Sequence, residues 1–365
     1  MRAALTLAHR GLGRVAPNPA VGCVLVKGGR VVGRGWTQPG GRPHAETEAL
    51  DRAGDRARGA TAYVSLEPCS HHGRTPPCVE ALIAAGVARC VVALGDPDDR
   101  VAGRGLARLR EAGVGVAEGL LADEAEELNA GFMMRVREGR PLVTLKLATS
   151  LDGRIATGTG ESRWITGEAA RAHGHLLRAG HDAVMIGGGT ALADDPRLDV
   201  RLPGLEDRAP LRIVLDGGLR LPATHDLAAR AGSQPTLLFT RAGLFTRAGH
   251  PAERRQALED KGVEVLEVET DGEDMLLVAD VLQALGQRAV TRLLVEGGGR
   301  LAASLFQAEL VDRLVWFHAP SVIGGDGVAA VGGFGLERLA GMSCFQRRSA
   351  LPIGADLVET YARAR

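Results

Sequence analysis

One histidine and two cysteines early in the chain are spaced as metal ligands. His44 lies in the sequence Pro-His-Ala-Glu, and eight residues separate Cys69 from Cys78. Three protein ligands leave the fourth position of a tetrahedral zinc ion for water, which is the arrangement of a catalytic site. Zinc lowers the pKa of that water from about 15.7 towards 7 and so supplies hydroxide at neutral pH. We therefore predict that His44, Cys69 and Cys78 form a hydrolytic zinc site.

Glu46 follows His44 by two residues and is suited to move protons rather than to bind the metal. A His-x-Glu sequence with later cysteines is the pattern of zinc deaminases, in which water replaces an amino group on a ring carbon. His71 and His72 lie between the two cysteines. Either could replace a predicted ligand, but we favour loop or substrate contacts for both.

Asn18 stands between two prolines, just before a predicted strand. Its side-chain amide can pair with the donor and acceptor edge of a heterocycle. Without the zinc pattern nearby, a role confined to the turn would explain this asparagine equally well. With that pattern in view, we predict that Asn18 contacts the substrate.

Two glycine-rich segments follow predicted strands in the second half of the chain. They begin at Gly187 and Gly297, and the second also opens a predicted helix. Close backbone approach and aligned N–H groups are what a dinucleotide pyrophosphate needs. The glycines could instead serve tight turns alone, and their late position argues against a Rossmann domain. Three nearby arginines could bind a substrate phosphate, namely Arg178, Arg197 and Arg201.

Predicted strands and helices alternate along the chain, which indicates an α/β protein. In the first half we predict strands over 21–27, 31–36, 60–66 and 87–94, and helices over 45–53, 79–85, 106–112 and 123–140. The alternation restarts after Pro141, with strands that outnumber helices. We therefore place one domain at residues 1–140 and a second at residues 141–365.

Composition limits the classes of partner. Lys and Arg number 44, as do Asp and Glu, so no overall basic field exists to hold nucleic acid. No apolar run approaches the length of a membrane span. Five cysteines do not suggest a disulfide framework in a chain of 365 residues. These features predict a cytoplasmic protein that acts on a small molecule and binds neither nucleic acid nor membrane.

Motifs along almost the whole chain resemble those of the bacterial bifunctional riboflavin-biosynthesis deaminase–reductases. In the first half they are Pro-Asn-Pro-x-Val-Gly-Cys, Pro-His-Ala-Glu and Glu-Pro-Cys-Ser-His-x-Gly-Arg-Thr-Pro-Pro-Cys. In the second half they are Leu-Lys-Leu-Ala-x-Ser-Leu-Asp-Gly-Arg, Gly-Glu-Ser-x-Trp-Ile-Thr and Leu-Ala-Asp-Asp-Pro. The resemblance implies a cytidine-deaminase-like α/β/α domain followed by a dihydrofolate-reductase-like α/β domain.

The resemblance also implies two consecutive reactions. The 2-amino group of 2,5-diamino-6-ribosylamino-4(3H)-pyrimidinone 5′-phosphate is hydrolysed, and NADPH then reduces the ribosyl side chain to ribityl. Zinc and NADPH are the implied cofactors, and a homo-oligomer is the implied assembly. The implied NADP contacts are Ala148, Trp164, Thr190, Asp194, Gly298, Gly299, Arg300, Leu301, Ala302, Ala303 and Ser304. The implied substrate contacts are Lys146, Ser162, Arg178, Leu198, Arg201 and Glu296.

Two other functions remain open at this point. The first is a different purine or pyrimidine zinc deaminase. Nucleoside and nucleic-acid deaminases have two residues between the cysteines rather than eight, and both this spacing and the second domain argue against that function. The second is a non-catalytic sensor that binds zinc and a nucleotide, for which Glu46 would be unnecessary. In a third possibility only one half of the chain is active.

Overall fold

The protein is described from a computed structural model that covers residues 1–71, 76–98, 102–244, 251–271 and 275–364. The chain divides into two compact units. The first consists of Met1–Arg140 with Ala289–Thr291, and the second of Pro141–Arg288 with Arg292–Arg365. Within the described residues, no helix combines the length and the apolar character needed to cross a bilayer.

The first unit contains a five-stranded sheet with helices on both faces. Its strands are β1 Gly22–Lys27, β2 Arg30–Trp36, β3 Thr61–Val64, β4 Arg89–Val92 and β5 Gly115–Glu118. Their order across the sheet is β2-β1-β3-β4-β5. β1 is antiparallel to β2 and β3, whereas β3, β4 and β5 are parallel. Its helices are α1 Arg2–Ala8, α2 Ala45–Ala53, α3 Cys78–Ala84, α4 Arg104–Glu111, α5 Ala122–Leu128 and α6 Ala130–Glu138.

Two apolar clusters hold these layers together. One joins α2, α3 and α4 to the sheet, and the other contains buried residues of α1 and α5. The predicted α/β/α fold of this half is therefore confirmed. The predicted strands 21–27 and 31–36 form an antiparallel hairpin, since Gly28 and Gly29 supply positive φ angles of 54° and 72° between β1 and β2.

The prediction of a single helical segment over 123–140 is wrong. α5 ends at Leu128 and α6 begins at Ala130. Asn129 separates them, and its buried amide accepts a hydrogen bond from the Ala20 N–H at 2.9 Å and donates one to the Ala20 carbonyl at 3.1 Å. This pairing fixes the turn that follows Asn18, a contact across more than a hundred residues that local periodicity does not reveal.

The second unit is built on a nine-stranded sheet of order β11-β10-β9-β8-β12-β6-β13-β16-β15. Its strands are β6 Leu142–Thr149, β8 Ala183–Gly187, β9 Leu211–Leu215, β10 Thr236–Arg241, β11 Val263–Val268, β12 Arg292–Val295, β13 Arg313–His318, β15 Phe345–Ile353 and β16 Asp356–Arg363. β7 Arg154–Ala156 and β14 Val328–Ala329 form a separate pair. The seven neighbouring strands β11, β10, β9, β8, β12, β6 and β13 are parallel to one another. At one edge, β16 pairs antiparallel with β13, and β15 pairs antiparallel with β16.

Six helices accompany this sheet in the described residues. They are α7 Glu168–Ala179, α8 Gly188–Asp194, α9 Asp226–Ala229, α10 Pro251–Glu259, α11 Val278–Gln287 and α12 Gly299–Gln307. The first glycine-rich segment therefore opens a helix, α8, which the sequence did not predict. Because β8, β12 and β6 are parallel neighbours, their carboxyl ends bring both glycine-rich segments and the end of β6 to one edge of the sheet.

Helix α2 lies directly on the backbone of β2, and a glycine permits this contact. A Cβ atom at Gly35 would lie 2.2 Å from the Ala45 carbonyl oxygen and 2.7 Å from the Ala49 nitrogen. At such distances the helix must move away from the strand.

We predict that Gly35→Ala lowers the free energy of unfolding of the first unit by about 1–3 kcal/mol, the usual cost of overpacking. Urea denaturation measures this change. The matched control is Gly115→Ala, whose added methyl meets nothing closer than 3.6 Å. An equal effect of the two substitutions would contradict the predicted contact.

Two candidate active sites

The predicted zinc ligands converge in the first unit. His44 is the residue before α2, Cys78 is the first residue of α3, and Cys69 lies in the loop that follows β3. One ligand atom from each lies within 4.8 Å of the other two. His44 Nδ1 is 3.3 Å from Cys78 Sγ and 3.6 Å from Cys69 Sγ. Two sulfurs and one imidazole are a donor set that suits zinc and leaves a fourth position for water.

Hydrogen bonding prepares one of the two thiols for metal binding. The Cys78 N–H donates to Cys69 Sγ at 3.3 Å. A hydrogen bond from the Cys78 side chain, together with His44, lowers the pKa of Cys69 to about 4 despite partial burial. The same hydrogen bond raises the pKa of Cys78. Cys69 is therefore the more readily ionised cysteine, and a thiolate is the form that binds a metal.

Glu46 lies in the first turn of α2 and only 3% of its surface is exposed. Burial raises the pKa of its carboxyl group to about 7, with a further contribution from Cys69. A carboxyl group with a pKa near neutrality can both accept and donate a proton. Glu46 is absent from the group of converging metal ligands, which fits the predicted role in proton transfer.

His44, Glu46 and Cys69 line a cavity of about 290 Å³. Asn18 also lines it, and its Nδ2 donates to the Gly41 carbonyl at 2.8 Å, which fixes the orientation of the amide. His71 lines the cavity too, but it is not part of the converging metal group. The alternative that His71 replaces a ligand is therefore not supported, and His72 lies outside the described residues.

Two acidic residues of this cavity were not predicted from the sequence. Glu67 is buried, and its carboxylate accepts hydrogen bonds from the N–H groups of Asp96, Gly103, Gly105 and Leu106 at 2.9–3.3 Å. Burial raises the pKa of Asp96 to about 6. The signal for Glu67 was its place before Pro-Cys69, where an acidic residue enters an otherwise apolar strand end. The signal for Asp96 was the Gly-Asp-Pro turn after β4.

A second cavity, of about 680 Å³, lies in the second unit. Its lining includes five predicted NADP contacts, namely Ala148, Trp164, Thr190, Asp194 and Gly298. It also includes all six substrate contacts implied by the resemblance, namely Lys146, Ser162, Arg178, Leu198, Arg201 and Glu296. The other predicted cofactor contacts, Gly299, Arg300, Leu301, Ala302, Ala303 and Ser304, form the start of α12 and do not line the cavity. Three of these, Leu301, Ala302 and Ala303, are buried within the protein.

A buried carboxylate with two cations forms the polar centre of this cavity. Glu296 receives two hydrogen bonds from Arg178, at 2.6 and 3.1 Å, and Lys146 Nζ lies 3.8 Å from Glu296 Oε2. Burial alone would raise the pKa of Glu296, but Arg178 and Lys146 lower it to about 2. The bidentate face of Arg178 is thus already occupied, so a phosphate would have to be bound through other donors, such as those of Arg201.

Comparisons with known protein families define the class of each half. Residues 1–94 match the cytidine and deoxycytidylate deaminase zinc-binding region, and residues 141–358 match the RibD C-terminal domain. The fold and the two sites therefore define a zinc-dependent deaminase joined to a reductase that uses NADPH.

Similarity to individual proteins extends over the full chain. The riboflavin biosynthesis protein RibD of Escherichia coli is 44% identical over 98% of this chain and 96% of its own. RibD of Acinetobacter baumannii has a solved structure with a TM-score of 0.87, 37% identity, and coverage of 100% and 98%. A deaminase/reductase from Thermotoga maritima gives a TM-score of 0.86, 32% identity, and coverage of 100% and 97%.

The chain belongs to the RibD family, the bifunctional deaminase–reductases of riboflavin biosynthesis. The resemblance seen in the sequence is thus confirmed. The cysteine spacing, which separates this chain from other deaminases, is consistent with this assignment rather than with another purine or pyrimidine deaminase.

We predict that Glu46→Gln binds zinc as the wild type does but deaminates about 10²–10⁴-fold more slowly, because the amide cannot carry a proton. Metal analysis and ammonia release measure the two properties separately. Reductase activity of the same preparation is the control and should not change. Normal ammonia release from a zinc-loaded Glu46→Gln protein would contradict the proton-transfer role.

We predict that Glu296→Gln lowers the free energy of unfolding of the second unit by about 2–4 kcal/mol, because it leaves the buried charge of Arg178 without its carboxylate. Urea denaturation measures the loss, and Glu309→Gln is the control because the Glu309 side chain is 78% exposed.

The pH dependence of this contribution follows from the lowered pKa. The folded pKa of Glu296, about 2, lies below its ordinary value of 4.5, so the contribution is complete above that ordinary value. It is lost as the pH falls towards 2. A wild-type stability that falls no more steeply than that of Glu296→Gln across this range would contradict the assignment.

Proposed function

We propose that this chain converts 2,5-diamino-6-ribosylamino-4(3H)-pyrimidinone 5′-phosphate in two steps, deamination at residues 1–140 and reduction at residues 141–365. The observation that carries the proposal is the convergence of His44, Cys69 and Cys78 beside buried Glu46. The relative from Thermotoga maritima is named as a diaminohydroxyphosphoribosylaminopyrimidine deaminase and 5-amino-6-(5-phosphoribosylamino)uracil reductase, which supports these substrates.

In the first step His44, Cys69 and Cys78 would hold zinc, which when bound makes water nucleophilic near neutral pH. Glu46 accepts a proton from the attacking water and delivers protons to the ring nitrogen and to the departing amino group. Water thereby supplies the new carbonyl oxygen, and ammonia leaves. Asn18 orients the pyrimidine by pairing with its edge, held in position by the Gly41 carbonyl.

For the second step, NADPH would when bound supply the hydride that, with one proton, reduces the ribosyl side chain to ribityl. We propose that Ala148, Trp164, Thr190, Asp194 and the beginning of the segment Gly298–Ser304 contact the nucleotide, the last through backbone N–H groups at the start of α12. Glu296 and Lys146 would orient the sugar chain, while Arg178 holds Glu296 in its ionised form. Ser162, Leu198 and Arg201 complete the substrate contacts.

We also propose that the protein acts in the cytoplasm on a small phosphorylated pyrimidine, without nucleic acid or membrane partners, and that it forms a homo-oligomer. The balanced charge of 44 basic and 44 acidic residues supports the absence of a nucleic-acid partner. The cavity sizes support a small substrate.

Product analysis by mass spectrometry tests this function. The zinc-loaded protein is given the diaminopyrimidine ribosyl phosphate with and without NADPH. We expect the deaminated product in both reactions and the ribityl product only when NADPH is present. Zinc-loaded protein that deaminates nothing would overturn the proposed substrate. Ribityl formation without NADPH would overturn the proposed second step.

A further inference from the structure

The wall of the reductase cavity contains a loop, residues 194–201, in a strained conformation. The backbone φ angles of Asp195 and Leu198 are 40° and 55°. These values lie in the left-handed region, which residues other than glycine rarely adopt. Leu198 and Arg201 are proposed substrate contacts and both line the cavity. A strained loop keeps one conformation only where its surroundings impose it. The question is therefore which residues hold this loop.

Gln234 and Asp226 contact the loop directly. Gln234 Nε2 donates to the Leu198 carbonyl at 3.3 Å and to the Pro210 carbonyl at 2.8 Å. The Asp226 N–H donates to Asp195 Oδ1 at 2.8 Å, and Arg197 Nε donates to Asp226 Oδ2 at 2.8 Å. Both of the residues with positive φ are thus tied to the segment that runs from α9 to the start of β10.

Arg212 holds that segment in turn. Its side chain in β9 is fully buried. Its guanidinium donates to the carbonyls of Leu227 at 3.0 Å, Gln234 at 2.7 Å and Asp226 at 3.3 Å. A planar guanidinium can reach several carbonyls at once, which the single ammonium of lysine cannot do with the same geometry. Because burying a cation is costly unless it is hydrogen-bonded, these carbonyls are fixed in place around it.

We propose that Arg212 and Gln234 are positioning residues for the ribosyl substrate of the reductase. They hold residues 194–201 in the strained conformation that presents Leu198 and Arg201 to the cavity. This inference rests on the proposed reductase function. Asp194, a proposed NADP contact, has a separate attachment, because Arg163 donates to its carbonyl at 2.9 Å. Loss of the Gln234 contact should therefore affect the binding of the substrate more than that of the cofactor.

Steady-state kinetics of Gln234→Ala in the full-length, zinc-loaded protein tests the proposal. We expect the KM for the deaminated ribosyl substrate to rise about tenfold, as loss of an anchored loop conformation would give, with kcat within about twofold. The KM for NADPH should also stay within about twofold. Arg212→Lys should raise the same KM, and deaminase activity should not change in either variant.

The matched control is Gln256→Ala, which removes an exposed glutamine of α10 whose Nε2 donates to Asp260 Oδ1 at 2.8 Å. It should leave both KM values, kcat and the deaminase activity unchanged. If Arg212→Lys does not fold, Gln234→Ala decides alone.

An unchanged substrate KM in Gln234→Ala would overturn the inference. So would equal changes in both KM values and kcat together with a lowered melting temperature, which a merely structural role predicts. A wild-type protein that does not reduce the ribosyl substrate would refute the proposed function itself, and the inference with it. Because that failure appears in the wild type, it is distinguishable from a failure of the variants.

Discussion

The first active site depends on bringing three ligand atoms within 4.8 Å of one another from two helix starts and a loop. In this arrangement α2 lies close against β2, and the absence of a side chain at Gly35 permits this approach. The same placement buries Glu46 in the first turn of α2, close to His44. Burial then raises the pKa of Glu46 to about 7, where a carboxyl group can exchange protons. Helix packing thus sets both the metal geometry and the acid–base chemistry.

The second active site uses the topology of a parallel sheet. β8, β12 and β6 are neighbours, so the segments that follow them meet at one edge although they are far apart in the chain. Glu296, just after β12, then pairs with Arg178 of α7 and lies 3.8 Å from Lys146 of β6. Arg178 and Lys146 keep this carboxylate ionised in a cavity that we propose also accepts an anionic substrate and cofactor.

Local patterns predicted a large part of this structure. The spacing of His44, Glu46, Cys69 and Cys78 predicted the zinc site, and hydrophobic periodicity predicted most helices and strands. The features that these local patterns did not predict depend on hydrogen bonds between distant segments. Asn129 lies between α5 and α6, where its amide pairs with the backbone of Ala20. Glu67 accepts hydrogen bonds from backbone N–H groups that lie 29–39 residues further along the chain. Arg212 likewise looks like an ordinary strand arginine until its carbonyl partners are known.

In the two-step reaction one chain adds the oxygen of water and the hydride of NADPH to the same molecule, at two separate sites. Isotope incorporation measures both additions in one experiment. The reaction is run in heavy-oxygen water with NADPH deuterated at the transferred position, and the final product is analysed by mass spectrometry. The two-step reaction predicts a ribityl product in which the new carbonyl group on the pyrimidine ring carries the heavy oxygen and the side chain carries one deuterium. A product that carries only one of these labels would contradict it.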